Sequence, residues 1–196
     1  MAVLGTSEVD RKRLLREGRI AASLNHPGIC TIHQLVEMGD DLFVVMECVE
    51  GKTLKDAIPV GGFDSHTAIN YGLQLADALA FAHRARVVHR DLKSNSVMVS
   101  PDGRLKILDF GLARQTAMLR PDDATADVAT VTTTADIRGT IHYMSPELLR
   151  GETADAVSDA WALGIVFYEM VTGIGCRRRK SPGPQGQLMP TARPSV

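Results

Sequence analysis

Apolar residues along this chain switch between two periods, and the switches mark out its elements. Residues 8–24 carry Leu14, Leu15, Ala21, Ala22 and Leu24 on an interrupted apolar face among Arg, Lys and Glu, which predicts a helix ending before Asn25-His26-Pro27-Gly28. Two strands are expected at 29–36 and 42–47, joined by a turn at Gly39-Asp40-Asp41. Gly51-Lys52 loosens the chain before a short helical stretch at 53–57. Asp64 or Ser65 caps the next helix, whose apolar positions Ile69, Leu73, Ala76 and Ala80 fall near one face. Val97-Met98-Val99-Ser100, Pro101-Asp102-Gly103 and Leu105-Lys106-Ile107-Leu108 then read as strand, turn and strand, a β-hairpin. Residues 115–138, rich in Thr, Ala and Asp, read as a long mobile loop. A nearly unbroken apolar run at 159–172 predicts a helix buried in the core and stopped by Gly173. From Gly175 the periodicity ends, and Arg177-Arg178-Arg179-Lys180 leads into a Pro- and Gly-rich tail expected to be disordered.

Bulk composition narrows the picture without deciding it. The 196 residues are enough for one domain with a sizeable core, and 44% hydrophobic with 23% charged residues is ordinary for a globular protein. A net charge of −1 gives no general pull toward nucleic acid or an anionic membrane, and the tetrabasic cluster reads as a solvated tail. Cys30, Cys48 and Cys176 are odd in number and widely spaced, so neither a disulfide framework nor a zinc site is expected, and a reducing cytoplasm fits. Met1-Ala2-Val3-Leu4-Gly5 lacks the basic and apolar regions of a signal peptide. The longest apolar stretch, 161–171, is interrupted by Glu169 and is too short to span a bilayer, so no membrane segment is expected.

The chemistry lies at the hairpin's two ends. Residues 89–92 read His-Arg-Asp-Leu and residues 109–111 read Asp-Phe-Gly, so Asp109 lies 18 positions after Asp91. A hairpin folded back on itself brings its ends, each with an acid, together. Two acids beside a cleft suit phosphoryl transfer, in which one orients the attacking hydroxyl and the other holds Mg²⁺. Ser145-Pro146-Glu147 follows downstream. This ordered set resembles the signature of serine/threonine protein kinases, especially bacterial ones of eukaryotic type, over about residues 8–173.

That resemblance implies an α+β, protein-kinase-like fold: a small-lobe remnant (1–50, with hinge), a mostly helical and incomplete large-lobe core (51–174) and a tail (175–196). It implies ATP and Mg²⁺ as cofactors and a protein serine or threonine as acceptor. Asp91 matches the catalytic aspartate, Lys93 the lysine that neutralises the γ-phosphate, and Thr140 the threonine that bonds both. Met46, Glu47 and Val49 resemble the gatekeeper and hinge around adenine, where the backbone of Glu47 and Val49 would bond the base and Met98 would pack on its face. Glu17 stands where the family places the helix glutamate that pairs with a strand lysine. Asp109 matches the Mg²⁺ ligand, with Phe110 packing under the first helix. Asp159 resembles the buried aspartate that fixes the His-Arg-Asp backbone, with Trp161 packing nearby.

Three departures accompany these matches. The second metal ligand of the pattern falls on Ser96 rather than asparagine, with Asn95 one residue earlier. No glycine-rich loop or lysine strand stands among the sixteen residues before Glu17. The resemblance ends after Gly173, which would leave Glu147 buried and without its arginine. Both ends are therefore expected to be cut, and two rival readings stand beside the kinase: a pseudokinase or interaction module, and an inactive gene fragment.

Overall fold

The computed structural model describes Leu15, residues 18–39, 41–108, Phe110 and residues 141–175. The loop expected at 115–138 and all but the first residue of the tail expected at 175–196 lie outside them. The first helix is helical through residue 22, and bonds from Ser23 N to Ile20 O (3.1 Å) and from Leu24 N to Ala21 O (3.1 Å) close it.

β1 (Ile32–Met38) and β2 (Asp41–Met46) form an antiparallel pair in which Leu35 faces Val44 and Val36 faces Phe43. β1 starts later than its apolar pattern suggests. Ile29 is drawn off into a parallel bridge with Ile107, fixed by Cys30 N donating to Ile107 O (2.9 Å) and Ile107 N to Gly28 O (2.9 Å). A tertiary partner outcompetes the local continuation of the strand.

The second sheet has the order β3-β4-β5: Lys52–Thr53, Val97–Val99 and Leu105–Ile107. The β4–β5 hairpin has the expected turn, with Gly103 at φ +77°. β3 corrects an expectation: Lys52 and Thr53 pair with Val99 and Met98 instead of loosening the chain. Two residues are too few to show alternation, and the open edge of β4 supplies the backbone partners. Thr53 also caps α1 (Leu54–Ala57) by accepting from Asp56 N.

Helix α2 (Ser65–Arg84) is capped by Asp64, which accepts from Thr67 N at 3.0 Å. Its buried face is Ala68, Leu75, Ala78, Leu79 and Ala82, not the stripe expected from the sequence. Ile69 and Leu73 are 54% and 66% exposed, and Ala76 and Ala80 are exposed as well. Both stripes have helical spacing, so periodicity alone cannot choose between them. Packing chooses the one with small residues, which admits close approach: a Cβ on Gly28 would lie 3.1 Å from Ala78 Cβ.

A short helix α3 (Pro146–Leu149) precedes α4 (Ala156–Thr172). α4 begins three residues before the expected start because Asp155 accepts from Val157 N (2.9 Å) and Ser158 N (3.0 Å). It buries Ala162, Val166 and Met170 against α2, but Trp161, Tyr168 and Val171 are about half exposed, so it is only a half-buried helix and Trp161 does not pack into the core beside Asp159. The core joins α2, α4 and the hairpin through Leu54, Leu75, Leu92, Val97, Leu105, Ile107, Val166 and Met170.

Gly173 ends α4 at φ +66°, pressed against the loop before α2: a Cβ there would lie 2.4 Å from Gly62 N and 2.6 Å from Gly61 N. Gly173→Ala should therefore lower the unfolding free energy by about 2–4 kcal/mol, combining left-handed strain with an unrelieved clash. Gly103, at φ +77° with nothing within 4 Å of the added Cβ, supplies the control. Gly103→Ala should cost only about 1 kcal/mol in the same urea titration.

Candidate active site

The segment from His89 to Ser96 has almost no regular structure of its own, so its shape comes from its anchors. Asp159, buried on α4, accepts from His89 N through Oδ2 (2.8 Å) and from Arg90 N through Oδ1 (2.9 Å). His83 Nε2 on α2 lies 2.8 Å from the same Oδ2. Arg90 has φ +70°, a strained value for a side chain with a Cβ, and the Asp159 carboxylate holds its amide there. His89 is buried; its Nδ1 lies 3.2 Å from Asp91 N and its Nε2 2.9 Å from Leu108 O. Those partners fit the tautomer protonated on Nε2.

Leu108 ties the hairpin to this loop from both of its backbone groups. Its carbonyl meets His89, and its amide donates to Ser96 O at 2.8 Å. Phe110 is buried with its ring 4.8 Å from that of His89. The residue between them, Asp109, lies outside the described residues, as do Glu17 and Thr140.

Asp91 and Lys93 form an ion pair, Nζ to Oδ2 at 2.8 Å, each partly open to solvent. Ser96 lies in the 3-10 turn Ser94–Ser96, where its hydroxyl accepts from Lys93 N (3.0 Å) and donates to Lys93 O (2.9 Å). That leaves one lone pair on a buried neutral oxygen. Asn95 is exposed. Among the described residues no group of three or more His, Cys, Asp or Glu is placed to hold a metal ion.

The strand faces explain the second half of the site. In β4 and β5, Val97, Val99, Leu105 and Ile107 point into the core, which leaves Met98 and Lys106, cross-strand partners, on the half-open face. Lys106 Nζ reaches Glu47 at 2.7 Å (Oε1) and 2.8 Å (Oε2), so the stretch after β2 is fastened beside Met98. Glu47 N donates to Thr31 O (2.8 Å), which leaves the carbonyl as what its backbone can offer; the Cys30 thiol approaches that carbonyl at 3.6 Å. Met46 and Val49 are half-buried on either side.

The family model described as the protein kinase domain matches residues 3–182. The chain belongs to the protein kinase domain family. Serine/threonine-protein kinase PrkC of Bacillus subtilis is 40% identical over 163 residues, 83% of this chain and 24% of its own length. Serine/threonine-protein kinase PknB of Mycobacterium leprae is 39% identical over 166 residues, 82% of this chain and 25% of its own. This kinase domain thus spans about a quarter of the length of the curated relatives it matches.

Asp91 and Lys93 lie in the segment that leads into the Ser94–Ser96 turn, and Glu47 is tied by Lys106 to the hairpin face that carries Met98. Glu147 corrects an expectation. It is neither buried nor alone, because Ser158 Oγ donates to its Oε1 at 2.9 Å. Sequence reasoning missed Lys106, His83, Ser94, Tyr143 and Glu169, all polar residues whose partners lie far away in the chain. Burial pushes the Tyr143 phenol above its ordinary value of 10.0, and the Glu169 carboxylate pushes the same way.

The Lys106 ammonium holds the Glu47 carboxyl below its ordinary value of 4.5, the Thr31 amide adds to this, and desolvation opposes it. A lowered folded-state value means that the pair's stabilisation is complete above the ordinary pKa and disappears as pH falls through the lowered one. Lys106→Met should therefore destabilise the chain by about 0.5–1 kcal/mol near neutral pH. In parallel thermal melts the gap from wild type should narrow as pH is taken progressively below the ordinary Glu47 value of 4.5.

Proposed function

We propose that this chain forms the catalytic core of a serine/threonine protein kinase, which moves the γ-phosphoryl group of ATP to a serine or threonine hydroxyl of a protein. The observation that carries the reading is the Asp91–Lys93 ion pair, mounted on a loop that Asp159 fixes through two backbone amides. Asp91 orients the acceptor hydroxyl and takes its proton as the oxygen bonds to phosphorus and ADP departs. Lys93, 2.8 Å away, neutralises charge on the transferring group, and Thr140 bonds both. Adenine sits against Met98 and the half-open hairpin face, bonded by the Glu47 carbonyl and the Val49 backbone and bordered by Met46. Glu17 supports the phosphate side from the first helix.

Mg²⁺, when bound, supplies charge neutralisation between the phosphates. Asp109 would hold it, with Ser96 or Asn95 as the second ligand. The acceptor is a protein, not a nucleic acid, and the reaction belongs to the cytoplasm, where ATP is supplied. A second reading, a binding module that keeps the fold without turnover, is favoured by one observation. At the position of the second metal ligand stands Ser96, a neutral hydroxyl with one lone pair left, in place of the asparagine of the family pattern.

Transfer of radiolabelled phosphate to a protein substrate tests both. Because residues 1–16 carry no lysine strand, turnover by these 196 residues assayed alone should fall about a hundredfold below the usual range, to about 0.01 per second or less. Asp91→Asn should abolish what remains. Turnover indifferent to Asp91→Asn would overturn the assignment of Asp91. ATP binding without any transfer would favour the binding module.

The second metal ligand is decided by two variants in one ATP-binding assay run with and without Mg²⁺. Ser96→Asn should tighten Mg²⁺-dependent binding by about tenfold if position 96 is the ligand, since an amide oxygen replaces a hydroxyl with one lone pair to offer. If Asn95 serves instead, Asn95→Ala should weaken binding and Ser96→Asn should do little. No response from either removes both from the metal.

A further inference from the structure

The residue after Lys93 has an unusual amount of structure attached to it. Ser94 is 1% exposed and opens the 3-10 turn that ends at Ser96. Its hydroxyl lies 3.0 Å from Tyr143 OH. Tyr143 in turn lies 2.8 Å from both carboxylate oxygens of Glu169, which is 4% exposed on α4. A phenol has one hydrogen, and the carboxylate can only accept it. The bond from Ser94 therefore runs with Ser94 donating, and the three groups form a directed chain from loop to helix.

α4 consequently grips the catalytic loop twice. Asp159 holds the backbone of His89 and Arg90, and Glu169, ten residues further along the helix and about 15 Å away on its axis, holds Ser94 through Tyr143. Asp91 and Lys93 lie between the two grips. We propose that Ser94 is a positioning residue of the catalytic loop: its hydroxyl, acting through Tyr143 and Glu169, sets the Asp91–Lys93 pair against α4 and against the segment that follows Thr140. The proposal rests on the reading of Asp91 and Lys93 as the transfer machinery.

Hydrogen-bond accounting separates this role from simple structural support. Removing the Ser94 hydroxyl leaves Glu169 still paired with Tyr143 and strands no buried donor, so it costs little global stability. What it removes is the link between the loop and the helix.

Amide hydrogen exchange on the full 196-residue chain tests this directly. Ser94→Ala should melt within about 2 °C of wild type. Its Lys93 and Ser96 amides, bonded to Ser96 Oγ and Lys93 O, should exchange about tenfold faster, while those of Leu75 and Leu79 in α2 stay unchanged. Tyr143→Phe should loosen the same loop amides, and the double variant should add nothing to it. Ser94→Thr, which keeps a hydroxyl, should restore slow exchange. Unchanged loop amides in Ser94→Ala, a uniform rise that includes α2, or additive effects in the double variant would each overturn the proposal. Phosphate transfer is the separate arm. Where wild type transfers phosphate, Ser94→Ala should lower kcat about tenfold with KM for ATP unchanged, and an unchanged kcat would overturn the positioning role. Absence of transfer by wild type defeats the kinase reading alone, and the exchange arm still decides whether Ser94 holds the loop.

Discussion

A buried carboxylate that accepts from two consecutive backbone amides is the constraint on which the rest of this domain depends. Asp159 is 1% exposed, and its two oxygens meet His89 N, Arg90 N and His83 Nε2. A buried charge is tolerated only with such a full set of partners, and removing one side of such a set typically costs about 3–5 kcal/mol. The same bonds hold Arg90 in a left-handed conformation that nothing local would select. Helix and loop are thus mutually dependent: α4 needs the amides to keep a carboxylate in its core, and the loop needs the carboxylate to keep its shape.

From that anchor the rest of the site follows by short steps. His89, once placed, reaches Leu108 O, and Leu108 N reaches Ser96 O, so the end of the hairpin and the end of the loop fix each other. The hairpin's alternation sends its small branched residues inward and leaves Met98 and Lys106 outward, where Lys106 captures Glu47. Phosphoryl transfer, the reaction proposed for this site, depends on positioning and charge more than on covalent participation.

The parts of this arrangement legible in the sequence are those with a local signature. The hairpin showed in its turn residues, the α2 cap in Asp64, the end of α4 in Gly173, and the acidic loop in His89-Arg90-Asp91-Leu92. The buried face of α2 is not legible in the sequence because two stripes share its spacing and only the facing elements distinguish them. β3 has two residues, below the length at which alternation exists. Lys106–Glu47, Ser94–Tyr143 and Tyr143–Glu169 join residues 59, 49 and 26 positions apart, and no period in the sequence encodes such pairs. Glu147 reads as stranded in the sequence because its partner is the neutral hydroxyl of Ser158, eleven residues on, which sits in the turn capped by Asp155.

The half-exposed Trp161 has an optical consequence. It is the chain's single tryptophan, set on the solvent side of α4 two residues beyond Asp159. An indole already in contact with water changes its emission little when the protein unfolds, and dissolved quenchers reach it in the native state. Fluorescence is therefore a weak witness to the folding of this domain. Far-ultraviolet dichroism, to which the 20 residues of α2 and the 17 of α4 contribute, follows two elements that bury the core.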